Sequence, residues 1–524
     1  MLNALRLARA GFVLARAGLF SFMAEEDLPP GAVRGVRLAR LLERRGLDDA
    51  ARGRELSEAL NRLGPSYVKL GQFLATRPDI VGPELADALS GLKDEMPPFP
   101  TEQARAIVAA NLGRPVETVF LSFSEPVAAA SIAQVHKAVV ARPEGEETVA
   151  VKVLRPDVRG RFARDLSAFY SAARAIERHA PETRRLKPLA VVETLHRSVV
   201  LEMDLRLEAA AISEMAENVR EEAEFRLPAL AWDLTGRDVL VTEWIDGIKL
   251  RDVARIEAAG HDRRRLAVAV IQSFLRHALR DGFFHADMHE GNLFVDPDGR
   301  IVAVDLGIMG RIGYKERKFL AEILYGFIRR DYLRIAEVHF EAGYVPAIHS
   351  VEDFAQALRA IGEPIHGHRA SDISMAKLLT LLFEITEIFD MQTRPELILL
   401  QKTMVVVEGV ARRLDPEFDM WSAAEPVVSE WVQRFVGPHG VVTEFADGLS
   451  AVARIARQMP ALARRFDRIS ENLEASTGNG LKLDDETIRG IGKEVARNTR
   501  WNRMALWLIA VIALVASLSA LIRG

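Results

Sequence analysis

The residues best suited to chemistry lie in two short stretches near the middle of the chain. Asp287 and Asn292 stand in HADMHEGN at 285–292, and Asp305 stands in VDLG at 304–307. Carboxylate and amide oxygens are the ligands that Mg2+ prefers, together with phosphate oxygens. We therefore predict phosphoryl transfer, in which Asp287 accepts a proton or orients the nucleophile, while Asn292 and Asp305 hold metal. An ordinary polar hairpin between buried strands is the alternative.

A β-hairpin would bring these three side chains together. Two apolar runs, at 293–295 and 301–304, flank the sequence Asp-Pro-Asp-Gly at 296–299. Turn-forming residues between two apolar runs predict a hairpin. Because Asn292 precedes the first strand and Asp305 follows the second, both should lie at one end of the hairpin, beside the catalytic acid.

A sheet upstream should cover a nucleotide. Strands are predicted at 118–123, 134–140 and 148–154, with a loop of small residues at 124–133 and a turn at 142–147. Lys152 falls on the third strand, as in a protein-kinase N-lobe that covers ATP. The loop contains no glycine, so its backbone would approach phosphate less freely than a glycine-rich loop does.

Acids in a long charged helical stretch are candidate partners for two lysines. Glu202, Asp204 and Glu208 lie within this stretch. An active kinase N-lobe requires an acid paired with the strand lysine, so one acid should meet Lys152, and another is available to Lys69. In isolation, a charged helix of this kind is usually a solvated surface.

Lys69 lies in LGPSYVKLGQFL at 63–74, which predicts a helix with Pro65 in its first turn. Lys69 and Gln72 would share one face of this helix, and Gly71 would allow a neighbouring element to approach closely. A solvated helical face explains this pattern equally well.

A strand at 238–243 should lead into the linker between two lobes, where the backbone near Glu243 and Ile245 would meet adenine. Helices are predicted at 251–280 and again from 315 to 431. No activation segment that closes with Ala-Pro-Glu follows Asp305. We therefore do not expect a peptide-substrate groove or a phosphorylation switch.

The composition excludes several classes of protein. The chain has 524 residues, a net charge of −4, 49% hydrophobic residues and no cysteine. Without an excess of basic charge, no nucleic-acid partner is expected. The lack of cysteine excludes disulfides, thiolate metal sites and a cysteine nucleophile.

Both ends of the chain predict contact with a membrane. The stretch 504–522 is uncharged and almost wholly apolar, and its length as a helix, about 28 Å, matches the hydrocarbon core of a bilayer. It predicts a single C-terminal anchor, although a buried core helix is the alternative. Basic residues before it would keep the body in the bacterial cytoplasm. Residues 1–24 predict an amphipathic interfacial helix. An organellar transit segment and a helix packed on the body are the alternatives.

Taken together, these motifs resemble the UbiB family of atypical protein-kinase-like proteins, called the ADCK family in eukaryotes. The resemblance covers about residues 25 to 430. Its basis is the Lys-x-Gly-Gln motif at 69–72, the alanine-rich loop at 128–134, Lys152, the Glu-x-Asp motif at 202–204, Glu208, and the motifs at 285–292 and 305–307. Departures from the common family pattern are Ala133, Ala211, Glu290 and Leu306.

The resemblance implies an α+β, bilobal protein-kinase-like fold with a helical N-terminal extension, a helix-rich C-lobe and a C-terminal transmembrane helix. The predicted regions are 1–24, amphipathic; 25–115, helical extension; 116–248, N-lobe with a helical insert; 249–435, C-lobe; 436–503, helical stalk; and 504–522, transmembrane helix.

The resemblance also implies ATP and Mg2+ as cofactors and a role for Lys69 as a lid that pairs with Glu202 or Asp204 and blocks protein substrates. The predicted catalytic residues are Asp287, Lys152 and Lys69, and the predicted regulatory residues are Lys69, Gln72, Glu202 and Asp204. The predicted nucleotide contacts are Ala128, Ala129, Ala130, Ser131, Ile132, Ala133, Gln134, Lys152, Glu208, Glu243 and Ile245.

The activity implied is that of a kinase or ATPase at the bacterial inner membrane that supports ubiquinone biosynthesis through isoprenoid-lipid precursors or their enzymes. The implied partners are anionic phospholipid, a polyprenylated quinone precursor, other enzymes of ubiquinone biosynthesis and a second copy of the chain. Two alternatives stay open: a small-molecule phosphotransferase, and a pseudokinase scaffold that binds nucleotide without turnover.

Overall fold

The structure is a computed structural model that describes residues 2–22, 36–44, 48–75, 77, 81–90, 92, 96–143, 145–179, 187–367, 385–386, 388–391 and 395–435. The predicted stalk at 436–503 and the predicted transmembrane helix at 504–522 lie outside these residues. Within the ranges just given, no helix is both long enough and apolar enough to span a bilayer.

The strands of the described chain form three small sheets. They are β1 (Phe120–Ala129), β2 (Ala133–Arg142), β3 (Gly145–Leu154), β4 (Phe225–Arg226), β5 (Val239–Glu243), β6 (Ile248–Lys249), β7 (Phe283–His285), β8 (Leu293–Val295), β9 (Ile301–Ala303) and β10 (Met309–Arg311). The sheet orders are β1-β2-β3-β5, β4-β9-β8-β6 and β10-β7.

The helices surround these sheets. They are α1 (Leu2–Arg16), α2 (Asp49–Leu63), α3 (Pro65–Ala75), α4 (Pro83–Ser90), α5 (Thr101–Leu112), α6 (Val158–His179), α7 (Pro188–Glu202), α8 (Leu205–Asn218), α9 (Val253–Ala258), α10 (Arg263–Arg276), α11 (Tyr314–Arg329), α12 (Tyr332–Glu341), α13 (Val351–Gly367), α14 (Pro395–Leu414) and α15 (Met420–Phe435). Short 3-10 turns lie at Leu19–Phe22, Val116–Thr118 and Trp232–Leu234, and a π turn lies at His277–Asp281.

The first sheet has one apolar face and one face open to the site. Val149, Val151 and Val153 alternate along β3 and are fully buried in a core that includes Val108 of α5. Lys152 lies between two of these valines, so its side chain emerges on the opposite face. The valines of β3 therefore pack in the core on one face of the sheet, and Lys152 lies on the other face.

The predicted loop at 124–133 is wrong over 124–129, because β1 continues to Ala129 and the turn consists of residues 130–132. Irregularities in the pairing with β2 lie on both sides of Pro126. Such bulges accommodate a residue that cannot donate to the ladder, so the strand continues past the proline. The turn between β2 and β3 is likewise shorter than predicted.

The predicted catalytic hairpin is confirmed. Leu293 of β8 pairs with Ala303 of β9, and Val295 pairs with Ile301. The hairpin is widened by β4, which runs parallel to β9, and by β6 beside β8. The open end of this hairpin therefore places the residues before β8 and after β9 side by side.

The helical extension packs against α6 and shares one apolar core with both lobes. Gly71 of α3 is where neighbours come closest: a Cβ atom built there would lie 2.8 Å from Leu92 and 2.9 Å from Leu60. The predicted close approach at this glycine is confirmed. α1 also packs on α6, where Asn3 donates to Ser167 at 3.0 Å, as in the alternative of a helix packed on the body. Contact of α1 with a membrane stays a prediction.

Candidate active site

Lys152 is held between two carboxylates where the first sheet meets the open end of the hairpin, a region that we call the cleft. Its Nζ lies 2.9 Å and 3.0 Å from the two oxygens of Glu208 in the first turn of α8. The same Nζ lies 2.8 Å from Oδ1 of Asp305, just beyond β9. The register of β3 sets this position, since Lys152 pairs with Val135 on one side and Leu240 on the other. The predicted pair of Lys152 and Glu208 is confirmed.

The charges of these three groups are interdependent. Burial raises the pKa of Glu208 to about 7, and attraction to Lys152 offsets only part of this shift. Burial also favours a raised pKa at Asp305, but Lys152 outweighs it and holds the pKa of Asp305 below its usual range. Burial disfavours the charge of Lys152, yet the two carboxylates raise its pKa. Asp305 is therefore ionised at neutral pH, and Glu208 is the carboxylate that takes up a proton first.

The predicted catalytic acid lies on an accessible loop that a buried histidine fixes. The side chain of Asp287 is 44% exposed and lies 3.8 Å from Nε2 of His289. Its backbone N–H donates to Nδ1 of His285 at 3.0 Å, and Nε2 of His285 lies 3.3 Å from the carbonyl oxygen of Val304. Burial lowers the pKa of His285, so the neutral imidazole accepts at Nδ1 and donates at Nε2. It thereby joins the loop to the end of β9.

Asn292 and Asp305 present oxygen atoms at the open end of the hairpin. Nδ2 of Asn292 donates to the carbonyl oxygen of Asp287 at 3.2 Å, and the carbonyl oxygen of Asn292 accepts from the N–H of Val304 at 2.9 Å. Asp305 has φ of +60°, a conformation that aspartate tolerates better than most residues and that recurs at functional sites. No cluster of three or more His, Cys, Asp or Glu within the described chain could hold a metal ion. An amide oxygen and a carboxylate suit Mg2+ when phosphate oxygens complete its coordination.

The turn at 130–132 covers the site without glycine. The N–H of Ala130 donates to the carbonyl oxygen of Ala133 at 2.8 Å, and the carbonyl oxygen of Ile132 accepts from the N–H of Arg155 at 2.8 Å. The guanidinium of Arg155 donates to the carbonyl oxygen of Ala130 at 2.9 Å. Of the predicted loop contacts, Ala128 is exposed, Ala129 and Ala130 are half-buried, and Ser131, Ile132 and Ala133 are buried. Their contact with a nucleotide stays a prediction.

A segment of the helical extension, residues 96–99, lies along this turn. We call it the strap. The N–H of Met96 donates to the carbonyl oxygen of Ala129 at 3.1 Å, and Arg155 donates to the carbonyl oxygen of Pro97 at 2.9 Å. The strap therefore fixes the turn from the side away from the cleft.

The side chain of Gln134, a predicted nucleotide contact, bonds the strap in this structure, and its contact with a nucleotide stays a prediction. Its Oε1 accepts from the N–H of Phe99 at 2.9 Å, and its Nε2 donates to the carbonyl oxygen of Phe99 at 3.2 Å. Gln134 pairs with Val153, one residue from Lys152, and is fully buried. Successive side chains of a strand point to opposite faces. Gln134 thus fastens the strap behind the sheet.

The linker between the lobes is held by its side chains and leaves its backbone near the cleft. Glu243 forms two hydrogen bonds with Arg226 of β4, at 2.9 Å and 3.1 Å. Ile245 is buried. At Gly247 a Cβ atom would lie 2.7 Å from the carbonyl oxygen of Val295, so the chain returns to the hairpin only without a side chain there. Adenine contact near Glu243 and Ile245 stays a prediction.

Lys69 lies over the site, and its predicted pairing with the Glu-x-Asp motif is confirmed for Glu202. Nζ of Lys69 lies 2.6 Å from Oε2 of Glu202, and these side chains are only 12% and 13% exposed. The positive charge of Lys69 also lowers the pKa of Asp305, by less than Lys152 does, while burial acts in the opposite direction. Gln72 is half-buried on the same helix.

Asp204 has another role in the structure. Its carboxylate caps α8 by accepting from the N–H of Arg206 at 3.2 Å, and it pairs with the Arg206 guanidinium at 2.6 Å. The Asp204 side chain therefore fixes the helix that carries Glu208, which is a positioning role.

Sequence reasoning missed the contribution of α14 to this site. The hydroxyl of Thr403 lies 3.1 Å from the carbonyl oxygen of Ala286 and 2.8 Å from that of Leu399, so its one proton is shared between them. Ala286 immediately precedes the predicted catalytic acid. Arg413 pairs with Glu290 of the same loop at 2.9 Å. The available signal was Gln401-Lys402-Thr403, three consecutive polar residues between the apolar runs LILL and MVVV. α14 and β10 therefore border the region where a kinase activation segment would begin.

We expect Thr403→Val to lower the free energy of unfolding by about 1 kcal/mol, since the buried hydroxyl is lost and the Ala286 carbonyl keeps no donor from α14. Urea denaturation measures this change. Thr194→Val is the control, because its hydroxyl makes only a local bond to the carbonyl oxygen of Ala190. Equal midpoints for the two variants would contradict the clamping role of Thr403.

Comparison with known proteins gives the following matches. A model of the ABC1 atypical kinase-like domain matches residues 91–339, and a model of the UbiB helical domain matches residues 358–419. The match to the kinase-like domain confirms the predicted kinase-like, helix-rich fold with sheets. α14 lies within the match to the helical domain.

Two curated relatives share much of the chain. A probable protein kinase UbiB of Marinobacter nauticus is 38% identical over 523 residues, which cover 98% of this chain and 93% of that protein. A probable protein kinase UbiB of Aliivibrio fischeri is 38% identical over 415 residues, which cover 78% of this chain and 76% of that one. Among solved structures, the complex of Rv3197 with erythromycin from Mycobacterium tuberculosis is 24% identical with a TM-score of 0.48, and the match covers 71% of this chain and 95% of that one.

Proposed function

The chain belongs to the UbiB family of atypical kinase-like proteins, and from this premise we propose that it binds Mg·ATP and transfers its terminal phosphoryl group in support of ubiquinone biosynthesis. The observation that carries the proposal is the convergence of Lys152, Glu208 and Asp305 within hydrogen-bond distance. A scaffold that never turned nucleotide over would have no need of Asp287 opposite them. The constellation is that of a phosphoryl-transfer site.

In this proposal some residues bind the phosphates and the metal, and another accepts the proton of the nucleophile. Lys152, kept positive by Glu208 and Asp305, binds phosphate oxygens when ATP enters. Asn292 and Asp305 would hold Mg2+, which would supply charge neutralisation on the phosphates. Asp287, accessible on its loop, orients the attacking hydroxyl or water and accepts its proton. His285 and Thr403 keep that loop in register with the hairpin.

The acceptor in this proposal is water or an isoprenoid-lipid precursor, at the cytoplasmic side of the bacterial inner membrane. Two features support a small acceptor over a peptide. α3 lies over the cleft with Lys69 paired to Glu202, and α11 begins at Tyr314, directly after β10, so no long activation segment intervenes. Anionic phospholipid, enzymes of ubiquinone biosynthesis and a second copy of the chain are the proposed partners, and residues 504–522 are the proposed anchor.

The proposal is tested by ATP hydrolysis with the full-length protein in vesicles, with and without anionic phospholipid and a polyprenylated phenol. We expect turnover that rises with both additions and disappears in Asp287→Asn. Nucleotide binding without turnover in every arm would refute the proposed activity and favour a scaffold.

If Lys69 restrains the site, Lys69→Ala should raise the rate of ATP hydrolysis about fivefold, the effect of about 1 kcal/mol on the barrier. Its pairing with Glu202 holds α3 over the cleft, and loss of that pair frees the helix to move. Steady-state hydrolysis of ATP and GTP measures both rate and selectivity. Arg62→Ala is the control, because it removes an exposed cation of α2 that lies 4.0 Å from Glu58. Unchanged rate and selectivity in the Lys69 variant would rule out the lid role.

A further inference from the structure

On the basis of the proposed function, we propose that Lys402 of α14 binds the terminal phosphate of ATP on the Asp287 side of the cleft. This residue lies outside the kinase-like domain match at 91–339 and within the helical domain match at 358–419. The site would then be completed by a helix from outside the kinase-like domain.

The position of Lys402 is fixed by its neighbour. Thr403 is fully buried, and its hydroxyl lies 3.1 Å from the carbonyl oxygen of Ala286 while it also bonds the carbonyl oxygen of Leu399 within α14 at 2.8 Å. Ala286 directly precedes Asp287, so the backbone of α14 at this point lies against the catalytic loop. Because adjacent helical residues point in different directions, Lys402 remains accessible while Thr403 is buried.

The surroundings of Lys402 are those of a cleft wall. Its side chain is exposed to solvent, yet enough protein surrounds it for burial to lower its pKa, and the charge of Asp287 acts in the opposite direction. A lysine on an open convex surface would lose little hydration. Together with the contact of Thr403 at Ala286, this places Lys402 close enough to Asp287 for the two charges to interact.

The charges described so far place no cation on the Asp287 side of the cleft for the terminal phosphate. Lys152 is shared between Glu208 and Asp305 on the far wall. Between Asp287 and Asn292 the loop carries no lysine or arginine, and Arg413 is engaged by Glu290. A transferred phosphoryl group spreads negative charge over its oxygens, which positioned cations stabilise. Lys402 is placed to supply a cation beside Asp287.

The test compares ATP with ADP, which differ only by the phosphate in question. In Lys402→Met we expect the Kd for Mg·ATP to rise about tenfold while the Kd for Mg·ADP stays within about twofold. Methionine matches lysine in length and helix propensity, so α14 should be retained. Lys402→Arg should recover most of the ATP affinity. Lys315→Met, which removes an exposed cation stacked on Phe319 of α11, is the matched control.

Titration calorimetry of the full-length protein decides the outcome without any need for turnover. Equal weakening of ATP and ADP, or unchanged affinity for both, would overturn the assignment of Lys402 to the terminal phosphate. Unchanged ATP affinity with loss of turnover only when acceptor is added would assign the lysine to the acceptor and also overturn it. A parent protein that binds ATP without hydrolysing it would refute the proposed activity but leave the ATP–ADP comparison intact.

Discussion

Asp305→Asn should raise the Kd for Mg·ATP about 100-fold, corresponding to roughly 3 kcal/mol of lost binding free energy. The substitution removes the carboxylate proposed to hold the metal and one of the two anions that keep Lys152 in place. Because the pKa of Asp305 is lowered, its carboxylate is charged throughout the neutral pH range. The neutral amide of asparagine therefore removes a negative charge from the site over that whole range. Titration calorimetry with Mg·ATP measures the effect.

Asp298→Asn is the matched control for this experiment. Asp298 belongs to the same hairpin, where it pairs with Arg300 at 2.8 Å and is 74% exposed. Its loss should leave the Kd unchanged, because an exposed pair of this kind contributes little. Binding of Mg·ATP by the Asp305 variant as tightly as by the parent would refute the metal assignment.

Asp287→Asn should lower the rate of ATP hydrolysis by about three orders of magnitude while the Kd for Mg·ATP stays within about twofold. Asparagine keeps the shape of the side chain, and the backbone bond to His285 does not involve the carboxylate. The amide cannot accept the proton of the nucleophile. Single-turnover hydrolysis under saturating nucleotide separates this chemical step from binding.

The same Asp298→Asn variant serves as the reference, since it makes the same substitution at the turn of the hairpin, away from its open end. More than about a tenth of the parent rate in Asp287→Asn would show that another group accepts the proton. A large loss of binding would instead place Asp287 among the metal ligands.

Local signals predicted the catalytic hairpin well. The turn sequence at 296–299 and the two apolar runs around it define the pairing of β8 with β9, and this pairing alone brings Asn292 and Asp305 together. Lys152 was also predictable, because its strand alternates with buried valines. These features depend on residues close in sequence, where turn chemistry and periodicity determine the structure.

The positions that sequence reasoning did not predict depend on strand register and on contacts between residues far apart in the chain. The family resemblance included Gln134 among the nucleotide contacts, but its pairing with Val153 sets its side chain on the face opposite Lys152. The small residues at 124–133 predicted a loop, but β1 continues to Ala129 with bulges on both sides of Pro126. The contact of Thr403 with Ala286 joins residues 117 positions apart. Neither periodicity nor composition determines which helix closes the catalytic loop.

The strap has a thermodynamic consequence for nucleotide binding. A glycine-rich flap is ordered by its ligand, and the conformational entropy lost in that step weakens the affinity. Here the turn at 130–132 is already bonded to Arg155, and its flank at Ala129 to the strap, so much of this entropy is lost when the chain folds. Nucleotide binding should therefore proceed with little further ordering of the turn. The entropy lost on ordering it instead lowers the free energy of unfolding of the extension that holds it.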